Sequence, residues 1–217
     1  IPRLIYSTNK NELYVNLYAS NTAKIALDKT ELEISQKTNY PWDGKVAITV
    51  SPKKESEFTL KLRIPGWARN QVLPGDLYTY KSVASAKTTL TIDGKPTEYK
   101  DDNGYITITR KWKKGEIITL DFPMEVKEVV TNTKVEGNIG KVALEYGPIV
   151  YAIEEIDNPA NFDKITIDAN DTFKVVKEDN LLEGVNTIQT DKLKAIPYYS
   201  WSNRGVGKMK VWIDLKK

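Results

Sequence analysis

The 217-residue chain contains no cysteine and no histidine, the side chains that most often act near neutral pH as nucleophile, proton shuttle or transition-metal ligand. Thiol catalysis, a Ser-His-Asp triad and a Cys/His zinc site are therefore excluded within it. Carboxylates, Tyr, Lys, Ser, Thr and Arg are the reactive groups that remain. Two carboxyls converging on one glycosidic linkage would be the signature of sugar-bond hydrolysis, one as acid and the other as base or nucleophile. The adjacent acids Asp101-Asp102 and Glu154-Glu155 do not qualify, because neighbours on a strand point to opposite faces; they read as a turn and a charged strand end. The stretch Asp157 to Asp171 carries four Asp and three Asn, yet it lacks the ligand spacing and central Gly of a calcium loop and reads as a solvated loop. Most of what this chain does is expected not to be chemistry.

The remaining candidates are aromatic. Trp42, Trp67, Trp112, Trp201 and Trp212 invite a carbohydrate-binding reading, since flat rings stack on the C-H faces of sugars while nearby amides and carboxylates bond the hydroxyls. Trp112 and Trp212 lie in or beside strand patterns and are expected in the core. Trp42, Trp67 and Trp201 lie in loops, either as stacking rings or as buried anchors. The densest constellation is Ile196-Pro197-Tyr198-Tyr199-Ser200-Trp201-Ser202-Asn203-Arg204-Gly205, three aromatics, an amide and a guanidinium between two strands. Two readings stand side by side. In one, Asn203 and Arg204 bond a sugar or a facing domain. In the other, Arg204 pairs an internal carboxylate and the aromatics fill the edge of a sandwich.

The elements that position these residues read as strands almost throughout. Leu13 to Tyr18, Val46 to Val50, Phe58 to Ile64, Thr88 to Ile92, Tyr105 to Thr109 and Ile117 to Phe122 are short, rich in β-branched and aromatic residues, and mostly alternating. Turn signals separate them: Trp42-Asp43-Gly44, Ile64-Pro65-Gly66, Asp93-Gly94, Asn103-Gly104 and Lys114-Gly115. Asp93-Gly94 and Asn103-Gly104 suit primed hairpin turns, which demand positive φ, and are expected to join three consecutive antiparallel strands. Glu125 to Thr131, Lys141 to Tyr146, Ile149 to Glu155, Thr172 to Val176, Val185 to Thr190 and Lys208 to Leu215 form a second block. No window shows a 3.6-residue apolar period, and Asn180 to Gly184 suits at most one helical turn. The expected fold is all-β, with two packed antiparallel, jelly-roll-like β-sandwich domains divided near Met124 (1–124 and 125–217).

With 32 basic and 29 acidic residues interleaved for a net charge of +3, the surface lacks the basic stripe of a nucleic-acid binder. The longest mostly apolar stretch, Val142 to Ile153, is too short to cross a bilayer. Ile1-Pro2-Arg3 opens with neither Met nor a signal peptide, which reads as an internal start.

Four motifs in order carry a family resemblance: Thr38-Asn39-Tyr40-Pro41-Trp42-Asp43-Gly44, Leu62-Arg63-Ile64-Pro65-Gly66-Trp67-Ala68, Tyr146-Gly147-Pro148-Ile149-Val150-Tyr151-Ala152, and the Pro197 to Gly205 loop. With Tyr14 to Tyr18 and Arg110 to Gly115 they span nearly the whole chain. Together they resemble the β-L-arabinofuranosidases of glycoside hydrolase family 127 and the related family 146, in which a catalytic (α/α)6 barrel precedes two β-sandwich domains. The resemblance covers the sandwich part. It implies retaining hydrolysis by a cysteine nucleophile in a cysteine and glutamate zinc site of the barrel, residues without counterpart in this chain. No catalytic residue, metal or cofactor is thus expected in it. Its expected partners are its own barrel and arabinose-containing glycan, and the setting implied is periplasmic or extracellular. The resemblance also turns Trp42, Trp67, Tyr198, Tyr199, Trp201, Asn203 and Arg204 toward a domain-interface role, with a free-standing carbohydrate-binding module as the alternative.

Overall fold

A computed structural model describes residues 2–83, 86–160 and 162–216; Ile1, and Asn161 of the expected polar loop, lie outside the described residues. After a short α-helix, α1 (Pro2–Ile5), the strands are β1 (Tyr6–Asn9), β2 (Glu12–Val15), β3 (Asn21–Ala26), β4 (Glu31–Thr38), β5 (Lys45–Pro52), β6 (Ser56–Arg63), β7 (Tyr78–Tyr80), β8 (Thr89–Ile92), β9 (Lys95–Pro96), β10 (Asp101–Asp102), β11 (Tyr105–Trp112) and β12 (Glu116–Asp121). There follow β13 (Val126–Thr131), β14 (Lys141–Tyr146), β15 (Ile149–Glu154), β16 (Thr166–Ile167), β17 (Lys174–Glu178), β18 (Val185–Gln189), β19 (Lys194–Pro197), β20 (Met209–Lys210) and β21 (Ile213–Leu215). The protein is all-β, as the alternation requires. Among the described residues no helix is long and apolar enough to cross a membrane.

The first compact unit comprises Ile1–Arg69 and Ser85–Pro123. It holds one sheet ordered β1-β2-β6-β11-β10 and another ordered β3-β4-β5-β12-β8-β9. Alternate residues of both sheets point inward: Leu13 and Val15, Val46, Ile48 and Val50, Leu60 and Leu62, Ile118 and Leu120 are fully buried. Each contributes about 1.5–3 kcal/mol through the apolar surface it removes from water. The two primed turns form as their residues demand, with φ of 47° and 75° at Asp93 and Gly94 and 52° and 85° at Asn103 and Gly104. They do not join three consecutive strands of one sheet. Asp93-Gly94 closes β8–β9 in the six-stranded sheet, and Asn103-Gly104 closes β10–β11 in the five-stranded one. β2 pairs with β6 in parallel, within an otherwise antiparallel sheet.

The second unit comprises Asn70–Ala84 and Met124–Lys217. Its sheet follows the path β16-β21-β14-β15-β19-β18-β17, with β13 paired to β14 and β7, and β20 paired to β15. β15 is its central strand: Ile149, Tyr151, Ala152, Ile153 and Glu154 are all buried, as expected where neighbours cover both faces. A cut at 124/125 therefore leaves out one piece of this unit, because residues 70–83 bring β7 to the outer side of β13. The physical reason is ladder pairing, which sequence adjacency does not reveal.

Candidate functional site

In the first unit the loop motifs converge inward. Gly66–Arg69 is a 3-10 turn that turns Trp67 into the core, where it is 7% exposed. Its Nε1 donates to Tyr40 Oη at 3.2 Å, and its ring packs on Tyr40 (centroids 6.4 Å apart) and Phe122 (5.8 Å). Tyr18 completes the cluster at 5.3 Å from Phe122 and donates its hydroxyl to Arg63 O at 2.6 Å. Burial pushes the Tyr18 and Tyr40 hydroxyls above the usual tyrosine range, as expected of phenols held neutral among rings. Phe122 N donates to Gly44 O at 3.0 Å, and a Cβ on Gly44 would lie 2.0 Å from Phe122 O. Glycine is required there by close approach of two backbones. Trp42, half-buried beside this contact, donates its backbone N to Asn39 O at 2.9 Å. Trp67 thus acts as a buried loop anchor and offers no face to a sugar.

The second unit builds the more open arrangement. β15 ends at Glu154, and its neighbour β19 runs into a 3-10 turn, Tyr198–Ser200, before the chain returns as β20. The loop between β19 and β20 is pinned by one guanidinium. Arg204 Nη1 donates to Asp157 Oδ1 at 2.9 Å, and Nη2 donates to both Asp157 Oδ2 and Glu154 Oε2. Glu154 Oε1 accepts from Ser202 N at 2.7 Å, with Ser202 at φ 65°. Lys194 Nζ lies 3.7 Å from Asp157 Oδ1 and 2.8 Å from Glu178 Oε2; Glu178 Oε1 also accepts from Thr187 and Gln189. Asn158 closes the base, donating to Glu154 O and Lys194 O and accepting from Lys194 N at 2.8 Å. The hydrogen bonds that Arg204 donates to Asp157, then the one to Glu154, raise its pKa further above an already high ordinary value, so the guanidinium is a permanent cation.

The clamp leaves the aromatics outside. Tyr198, Tyr199 and Trp201 are 44%, 61% and 39% exposed, and Val206 projects fully into solvent. Asn203 Nδ2 donates to Ser200 O at 3.0 Å. The second reading of this loop thus holds in part: Arg204 pairs internal carboxylates, whereas the rings are exposed and do not fill the sandwich edge. Of the seven sequence candidates, the structure groups Tyr198, Tyr199, Trp201, Asn203 and Arg204 on one loop and places Trp42 and Trp67 in the other unit.

Sequence reasoning missed Glu154 and Asp157 as partners. Glu154 belongs to the core side of β15, while Glu155 faces outward toward Lys208 N, the opposed orientation expected of strand neighbours. Asp157 corrects the view of 157–171 as wholly solvated; the signal available was the lone Arg204 in an aromatic loop, which needs an acidic counterpart. The loop's other acids are neutralised by lysines. Lys192 reaches Asp168 at 2.6 Å and Asp171 at 2.8 Å, and Lys208 reaches Asp163 at 2.8 Å. Hydrogen bonds from Lys208 and Lys192 hold the Asp163 and Asp168 carboxyls below their usual range. Trp112 is fully buried, donating Nε1 to Phe58 O at 3.1 Å. Among the described residues no three of His, Cys, Asp and Glu converge to hold a metal.

Comparison with known proteins places these features in a family. The model of the β-L-arabinofuranosidase GH127 middle domain matches residues 12–124, and that of the glycoside hydrolase family 127 C-terminal domain matches 126–214. A non-reducing end β-L-arabinofuranosidase of Bifidobacterium longum subsp. longum is 30% identical over 231 aligned residues, which cover 90% of this chain and 32% of that protein. A solved GH127 β-arabinofuranosidase superposes with a TM-score of 0.92 at 39% identity, over 98% of this chain and 36% of its own. A GH127 β-L-arabinofuranosidase from Geobacillus stearothermophilus gives 0.86 at 35% identity, over 99% and 35%. The chain spans about a third of the length of these relatives.

Proposed function

Because the chain belongs to glycoside hydrolase family 127, we propose that it is the non-catalytic β-sandwich region of a β-L-arabinofuranosidase-like enzyme acting on plant arabinose-containing glycans, and that it scaffolds a catalytic (α/α)6 barrel. The observation that carries this reading is the matched span: the middle and C-terminal domain models account for residues 12–124 and 126–214, about a third of each relative. The cysteine and glutamate zinc site of the resemblance does not fit this chain, which has no cysteine and, among the described residues, no acidic cluster that would replace one. In this reading the metal, the nucleophile and the hydrolytic step belong to the barrel, and the enzyme works in the periplasm or outside the cell.

The role left to the chain is mechanical. The Arg204 clamp fixes the loop backbone, so Tyr198, Tyr199 and Trp201 are presented as a preorganised aromatic surface whose ordering cost is met by the fold itself. Aromatic rings on a rigid backbone are the side chains that anchor interfaces. Mixing the chain with a separately produced family 127 barrel tests the role: association is expected, weakened at least tenfold by the double substitution Tyr199→Ser and Trp201→Ser, and an unchanged affinity overturns it.

The exposure of three rings also favours a second reading, a free-standing carbohydrate-binding module. Calorimetric titration with arabinan oligosaccharides separates the two. A saturable isotherm that disappears in Trp201→Ala supports the module; a flat titration leaves the scaffold.

A further inference from the structure

We infer that the second unit carries a strand-accepting groove selective for one extended segment, and that residues 70–83 occupy it as a clip which that unit needs for stability. Tyr78, Thr79 and Tyr80 pair antiparallel with Thr131, Val130 and Val129. Lys81 N donates to Glu128 O at 2.9 Å and Asn132 N to Leu77 O at 2.8 Å. These bonds bracket the ladder, and their alternation makes Thr79–Val130 the hydrogen-bonded pair between them.

Tyr78 and Tyr80, two residues apart, share a face. Tyr78 stacks on Trp212 with centroids 6.0 Å apart. Tyr80 is buried with Val129 and Ala143, flanked by Val72 and Val211. Its hydroxyl donates to Glu145 Oε2 at 2.7 Å, and Lys127 Nζ sits 4.6 Å from its ring centroid while donating to Asn70 Oδ1 at 3.1 Å. Lys127 and Glu145 face each other in the β13–β14 register. At the rim, Lys81 reaches Glu128 at 2.9 Å and Lys134 reaches Asp76 at 3.3 Å.

The groove therefore reads an extended Tyr-x-Tyr-Lys: one ring to stack, one phenol to meet a cation over its face and a carboxylate at its tip, and one ammonium. This is strand addition, in which the backbone supplies affinity and alternate side chains supply selectivity. Without the clip β13 becomes an open edge, and Glu145 loses a hydrogen-bond donor in a half-buried place. The clip lies inside the span of the middle-domain model, so the unit that holds together is larger than the C-terminal model's 126–214.

The test uses the full chain. Thr79→Pro removes the central donor and cannot continue the ladder. Hydrogen exchange at 126–131 is expected to accelerate at least tenfold, with 45–52 and 56–63 unchanged. Added synthetic peptide of residues 70–83 restores the protection, and the same peptide carrying Tyr80→Ala does not. Unchanged exchange at 126–131, equal acceleration in both units, or indifference to which peptide is added overturns the inference. If Thr79→Pro does not fold, Tyr80→Phe removes only the hydroxyl. Faster exchange at 126–131 and 141–146, with the first unit unaffected, is then expected, and no change there overturns the inference equally.

Discussion

Replacing Arg204 by Ala leaves Glu154 and Asp157, whose side chains are 8% and 10% exposed, as two carboxylates without their shared cation. Breaking a buried pair by removing one partner costs about 3–5 kcal/mol. Arg204 itself is 20% exposed, so water screens part of the interaction, and Lys194 remains 3.7 Å from Asp157. The lower end, about 3 kcal/mol, is the expected cost. For a unit of this size that lowers the melting temperature by roughly 10 °C or more. Arg204→Lys keeps the charge but not the fork that meets both acids, and is expected to cost less, about 1–2 kcal/mol. The triple change Glu154→Gln, Asp157→Asn, Arg204→Met is expected to recover much of the loss, since no charge is left buried. Urea unfolding followed by tryptophan fluorescence, with hydrogen exchange at Ser202 as the local probe, measures all three. Arg204→Ala within about 0.5 kcal/mol of the parent, the range of ordinary surface changes, would mean that this clamp does not fix the loop.

Other outcomes follow from single contacts. Gly44→Ala forces a Cβ to 2.0 Å from Phe122 O and is expected to destabilise the first unit by about 2 kcal/mol or more, seen as a lower urea midpoint; a neutral result would mean the two backbones separate freely. Trp112→Ala empties a fully buried indole site and is expected to cost about 3–5 kcal/mol, against a change under about 0.5 kcal/mol for a truncation at a surface position such as exposed Val206. Burial raises the Glu145 pKa above its ordinary 4.5. The stabilisation linked to that shift is full below pH 4.5 and fades as pH rises through the folded value. Across that window Glu145→Gln should show a flatter stability profile than the parent, and parallel profiles would contradict the shift.

Much of the fold is legible in residue order because one face of most strands is wet. Val46 to Val50 and Phe58 to Arg63 alternate in burial as they do in polarity. Legibility fails where long-range contacts override the pattern. The strand read from Leu13 to Tyr18 stops at Val15, because Tyr18 leaves the ladder to join the aromatic cluster with Phe122. β4 hides Gln36 on its buried side, where the amide donates to Tyr6 Oη and Leu17 O; β3 offers Ile25 as its one large apolar residue. The run read from Lys208 to Leu215 splits into β20 and β21. The aromatic loop at 198–204 was visible from composition, whereas the acids that hold it lie 47 and 50 residues earlier in the chain. No local pattern encodes such a pairing. The clip at 70–83 was illegible for the same reason: its partners are strands some fifty residues downstream.

The role proposed for this chain is to shape an enzyme without carrying its chemistry. The most direct measurement is hydrolysis of a chromogenic β-L-arabinofuranoside by the purified chain, with contaminating enzyme excluded by a parallel preparation from an empty expression host. Release indistinguishable from that blank is expected at every pH tested. Arabinose released in proportion to the amount of chain added, and persisting through repurification, would contradict it.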